Sequence, residues 1–254
     1  MSLYFTFGNF SIPAYGCMIA LGVVLANLAA LLVLRKYRLD FNDLIILEAY
    51  AFLGGFLGAK LLYLLVSFRD IDWSRITDLS YVNSLMQSGF VFYGGLIGGL
   101  LMVLAAGRLH RIDAGLYIRR VIFLIPFIHS FGRIGCFCAG CCYGRPYDGP
   151  GAVIFPEGSY APAGILLFPV QLLEAGLLMM IAVFLLFLQL RKNWYYTIET
   201  YLIMYAITRF VLEFFRYDAE RGLFLGISTS QWISFGMIAA ALLLIFRGRR
   251  GRKR

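Results

Sequence analysis

Seven runs of mostly apolar residues, each near the roughly 20 needed to cross a bilayer as a helix, limit what this chain can fold into. They cover about 12–34, 44–67, 90–107, 119–137, 169–190, 197–215 and 229–246. In hydrocarbon every backbone N–H and C=O must be satisfied within the protein, which leaves helices or a closed barrel. Barrel strands alternate with a period of two, whereas these runs are apolar throughout, so the sequence predicts an all-α membrane protein. At 61% hydrophobic and 15% charged residues, the chain lies outside the range of soluble domains.

Basic residues alternate between the loops. Arg35, Lys36 and Arg38 follow the first run, Arg108, Arg111, Arg119 and Arg120 the third, Arg191 and Lys192 the fifth, and a basic tail from Arg247 to Arg254 the seventh. The loops between hold fewer: Arg69, Arg75, Arg145, Arg216 and Arg221. The positive-inside rule then places the N-terminus outside and the C-terminus in the cytoplasm. The net charge of +9 resides largely in that tail, which reads as a membrane anchor and not as a nucleic-acid surface. The N-terminal segment has no basic stretch before its apolar run, so no cleaved signal peptide is expected. There is no internal repeat and no long hydrophilic segment, and residues 1–254 read as a single polytopic domain.

Ionisable groups inside a span are costly, about 2.5–3.5 kcal/mol each, and call for a reason. The sixth run carries Tyr205, Arg209 and Glu213 four apart, with Arg216 three further on, all on one helical face. The fifth opens with Gln171 and Glu174 three apart behind Pro169, which suits a helix's first turn. Self-neutralising pairs or interhelical hydrogen bonds account for such residues in part; a polar cavity accounts for all of them. Lys60, in the second run, either snorkels to the interface or joins that cavity. Tyr93 precedes Gly94 and Gly95, small residues that let a helix or a ligand approach the backbone.

The richest stretch is His129 to Pro146, HSFGRIGCFCAGCCYGRP. Arg133 lies between Gly132 and Gly135, so its guanidinium fork is accessible for bidentate phosphate binding, and His129 shares its helical face. Three readings of Cys136, Cys138, Cys141 and Cys142 compete: a metal site, a redox pair of Cys138 with Cys141, and small packing residues. Adjacent cysteines rarely serve one tetrahedral ion and no histidine lies between them, so packing is preferred and neither metal nor cofactor is expected.

At this point the residues resemble a family. Gly132-Arg133-Ile134-Gly135-x-Phe137 is similar to the signature of bacterial prolipoprotein diacylglyceryl transferases, and further matches follow in order. They are Ile12-x-x-Tyr15-Gly16, Gly94-Gly95-Leu96-Ile97-Gly98, Pro169-x-Gln171-x-x-Glu174, Arg209-x-x-x-Glu213-Phe214-Phe215-Arg216 and Ser228-x-x-Gln231. The resemblance implies seven spans in the bacterial cytoplasmic (inner) membrane. It also implies transfer of the diacylglyceryl group of phosphatidylglycerol to the lipobox cysteine of a prolipoprotein, releasing glycerol phosphate. Carried over, Arg133 and Arg209 hold the phosphate, Glu213 orients Arg209, and Tyr15, Gly94, Gly95, Gln171, Glu174, Tyr205 and Arg216 line the substrate site. Two departures stand out: Tyr93 replaces a histidine common in the family, and Cys136 an asparagine. The base then falls to Tyr93 or His129, or phosphate stabilisation carries the reaction with a base supplied elsewhere. The alternatives are a divergent transferase with another acceptor, an anionic-solute carrier using the same arginines, a redox membrane protein and a structural membrane subunit.

Overall fold

The computed structural model describes residues 4–7, 10–87, 89–217, 223–224 and 226–251. Arg221 and the last basic residues, Arg252, Lys253 and Arg254, lie outside them. Nine α-helices occur among the described residues: α1 (Ala14–Tyr37), α2 (Phe41–Val66), α3 (Leu79–Gln87), α4 (Phe92–His110), α5 (Ala114–Val121), α6 (Leu124–Ala139), α7 (Val170–Phe187), α8 (Thr197–Leu212) and α9 (Thr229–Gly251). Three two-stranded antiparallel hairpins accompany them: β1 (Tyr4–Phe7) with β2 (Phe10–Pro13), β3 (Val153–Ile154) with β4 (Leu166–Leu167), and β5 (Leu223–Phe224) with β6 (Ile227–Ser228).

Among the described residues five helices are long and apolar enough to cross a membrane, six if α5 and α6 count as one bent span. Their outward faces carry large apolar side chains, Leu28, Leu32, Phe52 and Leu61 among them, which suits contact with lipid. The expected continuous span over 119–137 is instead broken, and its two halves bend by 55°. Pro126 supplies the reason. It has no N–H to give the Ile122 carbonyl, and its ring crowds that turn, so Ile125 N–H takes the same carbonyl in a tighter bond of 3.2 Å. The run 197–215 is also shorter than expected as an α-helix. α8 stops at Leu212 and a 3₁₀ turn over Glu213–Phe215 follows.

The chain packs as two compact units, residues 38–118 and residues 1–37 with 119–254. In the first, Asp40 caps α2 by accepting the Asn42 N–H at 2.8 Å. α2 and α4 then pack through glycines: a methyl on Gly58 would overlap the Gly94 carbonyl and lie 2.9 Å from Gly98 Cα. Gly94 meets a neighbouring helix here, the small-residue packing of membrane helices. Lys60 is only 4% exposed. It donates to the Leu85 carbonyl at 2.5 Å and stands over the rings of Tyr63 and Phe90, so it fastens the end of α3 instead of snorkelling.

In the second unit α6 lies against α1 and α7, while α8 packs on α7 and α9. Gly22 of α1 admits Phe131, and Gly135 of α6 admits Tyr15. At the end of α1 away from Tyr15, buried Gln189 is the centre of a polar clamp. Its amide donates to the Arg119 carbonyl at 3.0 Å and accepts from Arg120 at 3.2 Å, while Lys36 donates to its carbonyl at 2.9 Å. Arg119 pairs with buried Glu199 at 2.9 Å. These cations, read in the sequence as loop charges, also fasten helix ends. At the other end, Phe155, Ala161 and Leu167 form a small core with Phe137 and Tyr143, folding the loop after α6 back over that helix.

Candidate active site

The second unit gathers its in-span charges at one end of its helices. Arg133 lies in the last two turns of α6, Gln171 and Glu174 in the first turns of α7, and Arg209 in the last turn of α8. Glu213 and Arg216 follow α8 directly, Ser230 is in the first turn of α9, and Tyr15 is at the start of α1.

Glu174 is the hinge of this arrangement. Its side chain is 1% exposed, with Oε1 3.1 Å from Arg133 Nε and Oε2 3.6 Å from Arg216 Nη1. Two guanidiniums therefore share this one carboxylate. The Arg133 contact is ionic, since its Nε makes no well-aligned hydrogen bond. Arg216 is held by its backbone: Gly144 and Arg216 form a β-bridge, and the Arg145 N–H donates to the Phe215 carbonyl at 3.1 Å.

The third cation is held differently. Arg209 Nη2 lies 3.1 Å from Glu213 Oε2, the pair that the four-residue spacing predicts, and donates to Ser230 Oγ at 2.8 Å. Arg133 and Arg209 act electrostatically on His129, whose ring centroid is 5.9 Å from that of Tyr205. Tyr15 in turn interacts with Arg133 and packs on Gly135. The two glycines flanking Arg133 thus differ. Gly135 is filled by Tyr15, whereas nothing lies within 4 Å of where a Gly132 side chain would begin.

Gln171 is fully buried and donates its amide to the Cys141 carbonyl at 2.9 Å, with its own Oε1 buried and without a hydrogen-bond partner among the described residues. Of the expected site residues, Arg133, Arg209, Glu213, His129, Tyr15, Gln171, Glu174, Tyr205 and Arg216 fall in this unit. Tyr93, Gly94 and Gly95 belong to the other, where Tyr93 is 43% exposed beside Phe92.

The Ser228-x-x-Gln231 motif is a helix cap. Ser228 N–H donates to Gln231 Oε1 at 3.1 Å and Gln231 N–H to Ser228 Oγ at 3.3 Å, a reciprocal capping box that starts α9. The residue that sequence reasoning missed lies inside it: Ser230. A hydroxyl in the first turn of an apolar helix, opposite a charged helix, was the available signal.

Comparison with known proteins identifies the family. The family model for prolipoprotein diacylglyceryl transferase matches residues 2–247. Phosphatidylglycerol--prolipoprotein diacylglyceryl transferase from Clostridium tetani is 34% identical over 236 residues, covering 92% of each chain. The protein of that name numbered 2 from Clostridium perfringens is 34% identical over 246 residues, covering 95% of this chain and 93% of its own. One from Pasteurella multocida is 33% identical over 267 residues, covering 98% and 93%. With the match running from the first helix to the last, this chain belongs to the prolipoprotein diacylglyceryl transferase family.

Proposed function

We propose that this chain transfers the diacylglyceryl group of phosphatidylglycerol to the lipobox cysteine of a prolipoprotein, using the charged end of its second unit as the phosphate site. The observation that supports this reading is the sharing of Glu174 by Arg133 and Arg216, which brings two buried guanidiniums together at the end of the helices where an anion can be held. Arg133 and Arg209 bind the lipid phosphate, with Glu213 and Ser230 fixing the direction of Arg209. Tyr15, Tyr205 and Gln171 line the same end.

The acceptor sulfur attacks the glyceryl carbon. A C–S bond forms as the C–O bond to phosphate breaks, and the electron pair leaves on the phosphate oxygen as glycerol phosphate. Guanidiniums placed in advance around that oxygen stabilise the growing charge far better in a low-dielectric site than in water. The thiol proton goes to His129, which lies one turn before Arg133 on the α6 face; Tyr93 is the alternative acceptor. The bent α5–α6 pair and α8 with its 3₁₀ turn make up seven spans with the five longer helices. The N-terminus is outside the bacterial inner membrane, so the phosphate site meets its outer boundary.

Purified protein mixed with phosphatidylglycerol and a lipobox peptide tests the reaction by mass. A peptide heavier by one diacylglyceryl group is expected. An unmodified peptide, with folded protein that still binds the lipid, overturns the reading.

A further inference from the structure

The thiols after Arg133 are placed as adjacent cysteines ordinarily are not. Cys136 is in the last turn of α6, which Gly140 ends with φ of +71°. The Cys141 N–H returns to the Cys136 carbonyl at 3.1 Å, and Gln171 holds the Cys141 carbonyl from α7. Cys142 then takes φ of +57°, a conformation that non-glycine residues seldom adopt without a reason. In an extended chain neighbouring side chains point to opposite sides. Two left-handed residues around Cys141 turn both thiols back towards Cys136, and the three Sγ atoms lie within 4.8 Å of one another.

That removes the objection that the sequence raised to a metal. Thiolates around zinc, at Zn–S of about 2.3 Å, are about 3.8 Å apart, so closing by about 1 Å or less through side-chain rotation fits an ion. Zinc with three thiolates carries one net negative charge, and Cys142 interacts with both Arg133 and Arg216, which offset it. Three protein ligands leave the fourth position open, the arrangement of a working zinc site.

We propose that Cys136, Cys141 and Cys142 form a site for zinc whose open fourth position takes the acceptor cysteine of the substrate. This rests on the transferase reading for the identity of the fourth ligand, but not for the three-thiol site itself. On coordination the acceptor's S–H proton leaves to His129 or water, because a thiol bound to zinc is deprotonated. The bound sulfur attacks the glyceryl carbon while the departing phosphate stays with the arginines. The product thioether is a weak ligand and vacates the position, and zinc keeps its oxidation state throughout.

The test uses the full chain purified without reductant or chelator. Metal analysis is expected to find one zinc per chain, and alkylation with mass readout to find Cys136, Cys141 and Cys142 protected while Cys17 and Cys138 react. Serine replacements at the three positions lower zinc affinity by at least about tenfold each, and the double variant Cys17→Ser, Cys138→Ser retains it. Chelation abolishes peptide modification but leaves phosphatidylglycerol binding intact, and added zinc restores the modification. Zinc retained by the triple serine variant, or a disulfide joining any two of the three thiols, overturns the site. Full transfer by zinc-free protein overturns its role in the reaction. Absence of product with and without zinc overturns the transferase reading and the fourth ligand together, while metal content and alkylation still decide the three-thiol site.

Discussion

Glu174 Oε1 lies 3.1 Å from Arg133 Nε, so a carboxylate in the first turns of α7 pairs with a guanidinium in the last two turns of α6. With Arg216 on its other oxygen, Glu174 keeps two buried cations near each other.

Removing that carboxylate leaves two buried guanidiniums facing each other. Glu174→Gln is expected to cost about 3–5 kcal/mol, the usual penalty for breaking a buried ion pair from one side. A lowered unfolding midpoint in detergent reads this out, and added phosphatidylglycerol raises the variant's midpoint more than that of the parent. An unchanged midpoint in the lipid-free variant sinks the sharing argument.

Arg209 and Glu213 separate binding from positioning. Arg209→Ala is expected to lower kcat by about 100- to 1,000-fold, the loss seen when one preorganised donor to a developing oxyanion is removed. Glu213→Gln keeps the guanidinium and one hydrogen bond, with Ser230 Oγ still 2.8 Å from Nη2 in the parent, so its loss is smaller. Arg209→Lys is not rescued, because an ammonium lacks the planar fork. Equal losses in Glu213→Gln and Arg209→Ala would mean that the pair acts as a unit.

The glycines divide into packed and open positions. Gly58→Ala drives a methyl into the Gly94 carbonyl and is expected to cost about 1–3 kcal/mol or more through overpacking of α2 on α4. Gly132→Ala meets open space and gains up to about 1 kcal/mol of helix propensity. Thermal unfolding of both variants in the same detergent checks the contrast.

The helices were readable because span length and uninterrupted apolarity are properties of local sequence. Arg209 with Glu213 was readable because a four-residue spacing fixes two side chains on one face. Glu174 with Arg133 and Arg216 was not, since that contact depends on which helices become neighbours. The break before α6 came from Pro126, whose missing N–H competes with an otherwise span-length apolar run. Lys60 and the Gln189 clamp were equally hidden, because several of their partners are backbone carbonyls, which every sequence has. The cysteine geometry turned on a left-handed Cys142, a backbone choice that composition does not announce.

The start of α9 separates stability from activity within four residues. Ser228→Ala removes the cap to the Gln231 N–H and is expected to cost about 0.5–2 kcal/mol. Ser230→Ala leaves the cap intact and frees one guanidinium N–H of Arg209, so the midpoint stays within about 0.5 kcal/mol while kcat falls. Unfolding and steady-state kinetics on the two variants decide the matter; a stability loss confined to Ser230→Ala contradicts the capping assignment.

Topology is tested by labelling single introduced cysteines in intact cells with an impermeant thiol reagent, in a background with the five native cysteines replaced by serine. Ser74 precedes α3 and Ser159 lies between α6 and α7, both in loops expected outside, whereas Asn193 follows α7 on the side of the basic loops. Ser74→Cys and Ser159→Cys are expected to react before the membrane is opened, and Asn193→Cys only afterwards. The charge asymmetry that sets this orientation weighs arginine and lysine near the span ends, and Arg191 and Lys192 immediately precede Asn193. Reaction of Asn193→Cys in intact cells would invert the assignment and place the phosphate site at the cytoplasmic boundary, where an exported prolipoprotein's cysteine could not reach it.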